Sequence, residues 1–316
     1  MRSAPFGYPG DMSATATRVV RQRGRNSGCR RVLPLWVILG GPQADSLRRL
    51  LTADLRAPYI AVSASSVDDM TLADVPGMLR LLNHADALIT EHLPSGYRGL
   101  PVGLGDLLPH LRPGIPVVTF PRISYAGLHP FHVGRDPVAG LSDPPMVPYH
   151  DLRSVAVAAG RMSPESARDL VPPAQVIREF AAWQLLRMRR NEALTDCSIA
   201  SSVRGAGLGA VHTVDRPGNL LLLRIAQDIQ RALDVDITAV DPGTLLLGQC
   251  RGPVEPQVAE ALGVEAPTSD RWSVNGRNLT IRRVQRAHVR WYHRHPDVLK
   301  AVLAAEAPRM EMLGLL

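Results

Sequence analysis

Four stretches of the chain bring chemically versatile side chains close together. The first is Gly40-Gly41-Pro42-Gln43-Ala44, between the apolar run Leu35–Leu39 and a helix marked by Leu47, Leu50 and Leu51. Where a buried strand turns into a helix, the first N–H groups of the helix face the crevice above the strand ends. Such a point suits a phosphate, an oxyanion or a carboxylate. Pro42 removes one donor, which leaves the N–H groups of Gln43 and Ala44, with the Gln43 amide beside them. The stretch is neither G-x-G-x-x-G nor a P-loop, and an ordinary tight turn also accounts for its glycines.

The second stretch is Glu91-His92, after the strand expected at 87–90. His92 there is a candidate general base, oriented by Glu91 or Asp86; a surface loop histidine is the plainer alternative. The third runs from Pro121 to Pro130 and contains Arg122, Ser124, Tyr125 and His129, again after a strand. The fourth is His212-Thr213-Val214-Asp215-Arg216-Pro217-Gly218-Asn219. Asp215 reads as an N-cap and Pro217 as a first-turn residue of the apolar helix beginning at Leu220. His288, His293 and His295 form an H-x-H pattern with a third histidine, but no cysteine or carboxylate cluster completes a metal site, and none is expected.

The elements that must position these groups follow from hydrophobic patterning. Apolar runs at 35–39, 59–62, 87–90 and 116–120 alternate with helical stretches, including 71–83 and 104–111. Strand and helix in alternation predict α/β architecture: an N-terminal parallel sheet with crossover helices. Beyond Pro121 strand signals nearly vanish. Helices are predicted at 176–191, from Leu220 to Leu233, at 254–262 with Gly263 as a C-cap, at 281–293 and at 298–305, which makes a mostly helical C-terminal half. The expected organisation is an Arg-rich disordered tail over 1–30, an α/β crevice-forming unit over 31–148 and a helical portion over 149–316 packed on it.

Charge narrows the partners. The net charge is +7, but residues 1–31 hold seven arginines and one aspartate and so carry +6 of it. The rest of the chain is nearly neutral and lacks the clustered basic surface of a nucleic-acid-binding domain. Three cysteines without a C-x-x-C pair argue against a disulfide framework and for a cytoplasmic setting. No apolar run is long enough to span a membrane. Arg30-Arg31 before 32–39 could begin an export signal, yet the amphipathic helix that follows at once favours a buried strand.

In this order, the stretches resemble the WcbI-type polysaccharide-biosynthesis proteins. That family carries a G-N-C-Q-A-like turn after its first strand, then Q-H and Y-R pairs, Y-x-G-x-H-P, and an H-T-x-N-H-P-x-N-like element. Here these read Gly40-Gly41-Pro42-Gln43-Ala44, Glu91-His92, Tyr97-Arg98, Tyr125-Ala126-Gly127-Leu128-His129-Pro130 and 212–219. The resemblance spans about 33–235. It implies coenzyme A or acyl-CoA as co-substrate and transfer of an acyl (acetyl) group to a hydroxyl or amine of a sugar or secondary metabolite. His129, then His92, then His212 are the candidate bases. Gln43 is the oxyanion donor, with the Ala44 N–H. Gly40, Gly41, Ala44, Arg98, Arg122, Tyr125 and Arg216 are expected around the coenzyme. Pro42 stands where the family has cysteine, so a covalent acyl-enzyme at that position is chemically impossible. An esterase or deacylase using the same crevice, and a non-catalytic ligand-binding homologue, are the alternatives.

Overall fold

A computed structural model describes residues 33–134 and 142–316; the Arg-rich 1–30 segment lies outside the described residues. Four parallel strands form the central sheet: β1 (Leu35–Leu39), β2 (Ile60–Ser63), β3 (Ala87–Glu91) and β4 (Val117–Phe120), in the order β2-β1-β3-β4. Helices α1 (Gln43–Leu51), α2 (Val75–Asn83) and α3 (Leu104–Leu107) lie in the connections. Trp36 and Ile38 of β1 enter one core and Val37 and Leu39 another, so the strand is buried on both faces. That is why it reads as a continuous apolar run. Leu47, Leu50 and Leu51 of α1 cover the first face; Met78, Leu82 and Leu107 of α2 and α3 cover the second.

The remainder is largely helical, stitched by short antiparallel pairs. It comprises β5 (His132–Val133), β6 (His150–Asp151), α4 (Leu152–Ala158), α5 (Pro164–Asp169), α6 (Ala174–Glu192) and α7 (Val203–Ala206). Then come β7 (Val211–Thr213), β8 (Arg216–Pro217), α8 (Asn219–Ala232), β9 (Cys250–Arg251), α9 (Pro256–Leu262), β10 (Arg271–Val274), β11 (Arg277–Thr280), α10 (Ile281–Tyr292) and α11 (Pro296–Met312). Gly263 caps α9 in the left-handed conformation, as its position suggested. Ser163 likewise caps α5 through its hydroxyl.

Three local expectations are corrected. The 71–83 helix begins only at Val75, because Thr71 is held in a turn by the Asp74 carboxylate. Asp215 is not an N-cap: α8 starts after Gly218, and the Asp215 carboxylate accepts the Tyr149 hydroxyl at 2.5 Å. Leu220 is 57% exposed, and α8 instead presents Leu221, Leu222, Ile225 and Ile229 to the sheet core. The β10–β11 hairpin was not expected. Its turn is Asn275-Gly276, both at positive φ (47° and 76°), the dipeptide that tight two-residue hairpins prefer.

Candidate functional site

In the order β2-β1-β3-β4, the chain leaves β1 toward β2 and leaves β3 toward β4. The carboxyl ends of β1 and β3 therefore flank a topological switch point, where open α/β sheets form a crevice. Gly40 and Gly41 follow β1, Glu91 ends β3, and Arg122 lies just beyond β4.

These residues form one ionic cluster. The Glu91 carboxylate, 1% exposed, accepts the Arg122 Nε–H and, through Oε2, the Gly41 N–H at 2.8 Å. Arg122 also donates through Nη2 to Asp68 Oδ1 at 3.0 Å. The Tyr97 hydroxyl donates to the same oxygen at 3.2 Å, and the guanidinium lies over the Tyr97 ring. Burial opposes the Arg122 charge, but the Glu91 and Asp68 carboxylates more than reverse that and raise its pKa. The glycines permit this packing. A Cβ on Gly40 would stand 3.0 Å from Glu91 and Phe120, and one on Gly41 would stand 3.0 Å from Arg122 and Asp68.

The turn itself is closed by its own hydrogen bonds. The Ala44 N–H donates to Gly41 O at 2.9 Å. The Gln43 amide exchanges two bonds with the Ile123 backbone, at 3.2 and 3.3 Å, and so fastens α1 to the segment after β4. Neither the Ala44 N–H nor the Gln43 side chain is thus the open oxyanion donor the sequence suggested. The Gln43 backbone N–H has no acceptor among the described residues. His92, directly after β3, and Arg98, in the turn that follows, are exposed and carry no side-chain partner among the described residues.

His129 is elsewhere. It is 2% exposed, in a buried segment with Tyr125, Ala126, Leu128 and Phe131. Burial first, then the neighbouring His132 and His212, push its pKa down to about 3. An imidazole so placed is a weak base out of reach of solvent. Arg309 of α11 holds the turn by donating to the carbonyls of His129, Pro130 and His132. Gly127 is required there because a Cβ would fall 2.2 Å from the Tyr125 hydroxyl oxygen. Burial raises the Tyr125 pKa to about 12, and its ring is core rather than crevice wall.

His212 is half-buried, with Nε2 3.2 Å from Leu246 O, in a cleft of about 410 Å³ that also includes Arg251 and Arg271. Burial lowers its pKa. Arg216 is 4.0 Å from Asp215, in the network of Tyr149 and Thr213. The structure therefore gathers Gly40, Gly41, Glu91, Arg122 and, through Ile123, Gln43. It leaves His129, Tyr125, His212 and Arg216 in other clusters. Asp68, central to the ionic cluster, was not foreseen; it lies in a loop without periodicity, and only the fold brings it to Arg122. Cys197 is buried and its thiol is pushed up to about 12, by burial first and then by Asp228 and Asp196, so it is no nucleophile.

A strand-end crevice in a doubly covered parallel sheet, with a long helical extension, defines the class. The match of a family model adds the particular: the model described as polysaccharide biosynthesis enzyme WcbI covers residues 35–238, and the chain belongs to this family. A search of curated proteins finds no match. Among solved structures, a WcbI polysaccharide biosynthesis enzyme is similar with a TM-score of 0.75 and 16% identity, over 89% of this chain and 98% of that one. That structure is described as native protein without a disulfide bond between coenzyme A and a cysteine. No helix among the described residues is long and apolar enough to cross a membrane.

Proposed function

We propose that the protein is a coenzyme A-dependent acyltransferase of polysaccharide biosynthesis that works by direct transfer, without an acyl-enzyme. The observation that carries this reading is the switch point at the ends of β1 and β3 in a WcbI-family chain, with the exposed His92 directly after β3; the resemblance puts Pro42 where the family has cysteine. The cations present fit a phosphate-bearing substrate only in part. Arg122 is committed to Glu91 and Asp68, so Arg98, exposed and without an ion-pair partner among the described residues, is the residue that would hold a phosphate. Acyl-CoA supplies the thioester, whose C–S bond breaks as the acceptor's new bond forms. His92 takes the proton of the acceptor hydroxyl or amine, and the proton returns to the departing thiolate. The Gln43 N–H is the backbone donor available to the developing oxyanion.

A specific observation favours a second reading, a ligand-binding homologue without chemistry. The Gly41 N–H, a natural oxyanion donor, is occupied by Glu91. One experiment separates the two. Binding of acetyl-CoA is measured by titration and thioester cleavage by thiol release, with saccharide acceptors, for the native chain and His92→Ala. Turnover that falls ~10²-fold or more in the variant at unchanged binding supports transfer. Binding without thiol release in either protein supports the homologue. No binding at millimolar concentration removes both.

A further inference from the structure

A second site lies away from the crevice, between α4, α5 and α10. It is an open groove of about 570 Å³, within the usual range for small-molecule sites. One wall is α10, whose sequence contains Arg282, Arg283, Arg286 and Arg290 and no acid. Arg282, Arg286 and Arg290 fall at i, i+4 and i+8 and line the groove together, with Arg168 facing them from α5. All three α10 arginines are exposed, and none has an ion-pair partner among the described residues. The one acid on the groove, Glu165, is itself mostly exposed and sits 3.8 Å from Arg168.

This arrangement is costly for the free protein. Like charges spaced four apart on a helix repel, and Arg282 lies in the first turn of α10, where the helix dipole disfavours cations. Some surface arginines have an acid close by, as in Arg48–Asp45 and Arg231–Asp228, and Arg168 has Glu165, but the three arginines of the α10 row have none among the described residues. Between the arginines the groove is apolar, with Val157, Ala167 and Val289. At its inner wall lies Arg153, 7% exposed, held by Glu255 and by Leu170 O, with its Nε lacking any acceptor. A buried donor without a partner, an unneutralised arginine row and an apolar strip together describe a ligand with concentrated negative charge and a flat organic body.

We infer that this groove binds a nucleoside diphosphate group, its phosphates on Arg282, Arg286, Arg290 and Arg168 and its base on the strip of Val157, Ala167 and Val289. Guanidinium forks match phosphate oxygens, and their planes stack on bases. Successive arginines on the row stand about 6 Å apart along the helix, so neighbouring ones can grip adjacent phosphates. The site is independent of the crevice and of the acyl-transfer reading.

The test is calorimetric titration of the full chain with UDP, UMP, inorganic pyrophosphate and coenzyme A. The expected result is saturable UDP binding, weaker for UMP and for pyrophosphate, and weakened at least tenfold in Arg286→Ala and in Arg290→Ala at unchanged melting temperature. Arg98→Ala, at the crevice, should leave UDP binding unaltered. Absence of UDP binding at millimolar concentration, or equal affinity in both α10 variants, overturns the site. Pyrophosphate binding as tightly as UDP overturns the role of the apolar strip. Displacement of UDP by coenzyme A would make the groove the coenzyme's own site and overturn its independence.

Discussion

The crevice and the histidine-rich interior carry the same kinds of side chain but use them oppositely. At the crevice, charged groups are paired with one another. Glu91 is as buried as any residue in the core, yet it is matched by Arg122 and the Gly41 N–H. In the interior, His129, His132, His150 and His288 are kept neutral. Burial is the first cause in each case, and the pKa values fall to about 3 for His129 and His132 and to about 4 for His150. Reactive residue types therefore mark chemistry only where the fold supplies either solvent or a counter-charge. The Tyr125–Pro130 motif has neither at its histidine.

The sharpest way to break this contrast is acid. A histidine whose folded pKa lies below its unfolded value stabilises the fold fully above the unfolded pKa, about 6.5. That stability is lost as pH falls toward the folded pKa. With folded values of about 3, 3 and 4, His129, His132 and His150 open a window from pH 6.5 down to about 4. In it each ring that must gain a proton lowers stability by up to about 1.4 kcal/mol per pH unit. Denaturant midpoints measured from pH 7 to pH 4.5 should fall steeply. A flat profile would mean that these rings are already charged or solvated, and the interior would then not differ from the crevice.

Close packing gives the next effect. Gly127→Ala places a Cβ 2.2 Å from the Tyr125 hydroxyl oxygen, and the buried ring has little room to retreat. A loss of about 3 kcal/mol or more is expected, at the upper end of overpacking costs. The ring carbon Cζ stands at 2.3 Å as well, so Tyr125→Phe should not relieve the loss, whereas Gly127→Ala combined with Tyr125→Leu should recover part of it. If that double variant is no better than the single one, the clash is not with the ring.

At the crevice, Glu91→Gln removes the charge but keeps the shape. Arg122 then faces Asp68 alone, and the amide must choose between it and the Gly41 N–H. The expected cost is about 2–3 kcal/mol, below that of a fully buried pair because Arg122 keeps contact with solvent. Equilibrium unfolding measures it. Replacing Arg122 and Glu91 together by Met and Gln should cost less than the sum of the separate changes, since the two groups act as a pair.

What could be read from the residues, and what could not, follows the same division. The 35–120 alternation was legible because strands buried on both faces are written as apolar runs, and helices between them show the leucine spacing of α1. The later half was less so. Two-residue strands such as β5 and β6 have no periodicity to detect, and Asn275-Gly276, a hairpin dipeptide, was not read as a turn. Asp215 was misread because its partner, Tyr149, is 66 residues away. His129 was misread because a loop histidine looks the same whether the loop faces water or the core. The nearby Gly127 was the better clue, since a glycine that Tyr125 must approach closely belongs to packing.

The smallest expected effect is at Arg98, the exposed cation beside the crevice. Its backbone is left-handed, with φ 54° and ψ 27°, in a short turn flanked by Gly96 and Gly99, also at positive φ. A residue with a Cβ is strained there, and glycine is not. Arg98→Gly should therefore raise stability by roughly 0.5–1 kcal/mol, after allowing for the greater freedom of glycine in the unfolded chain. Arg98→Ala keeps the strain and should change stability by less than about 0.5 kcal/mol. Both variants lose the charge. If Arg98 holds a phosphate of the co-substrate, the two should weaken coenzyme A binding equally, while their melting temperatures separate. Equal melting temperatures would show that the left-handed turn is relaxed with arginine in place. Unweakened binding in both would remove Arg98 as a phosphate holder and leave the α10 groove as the stronger anion site.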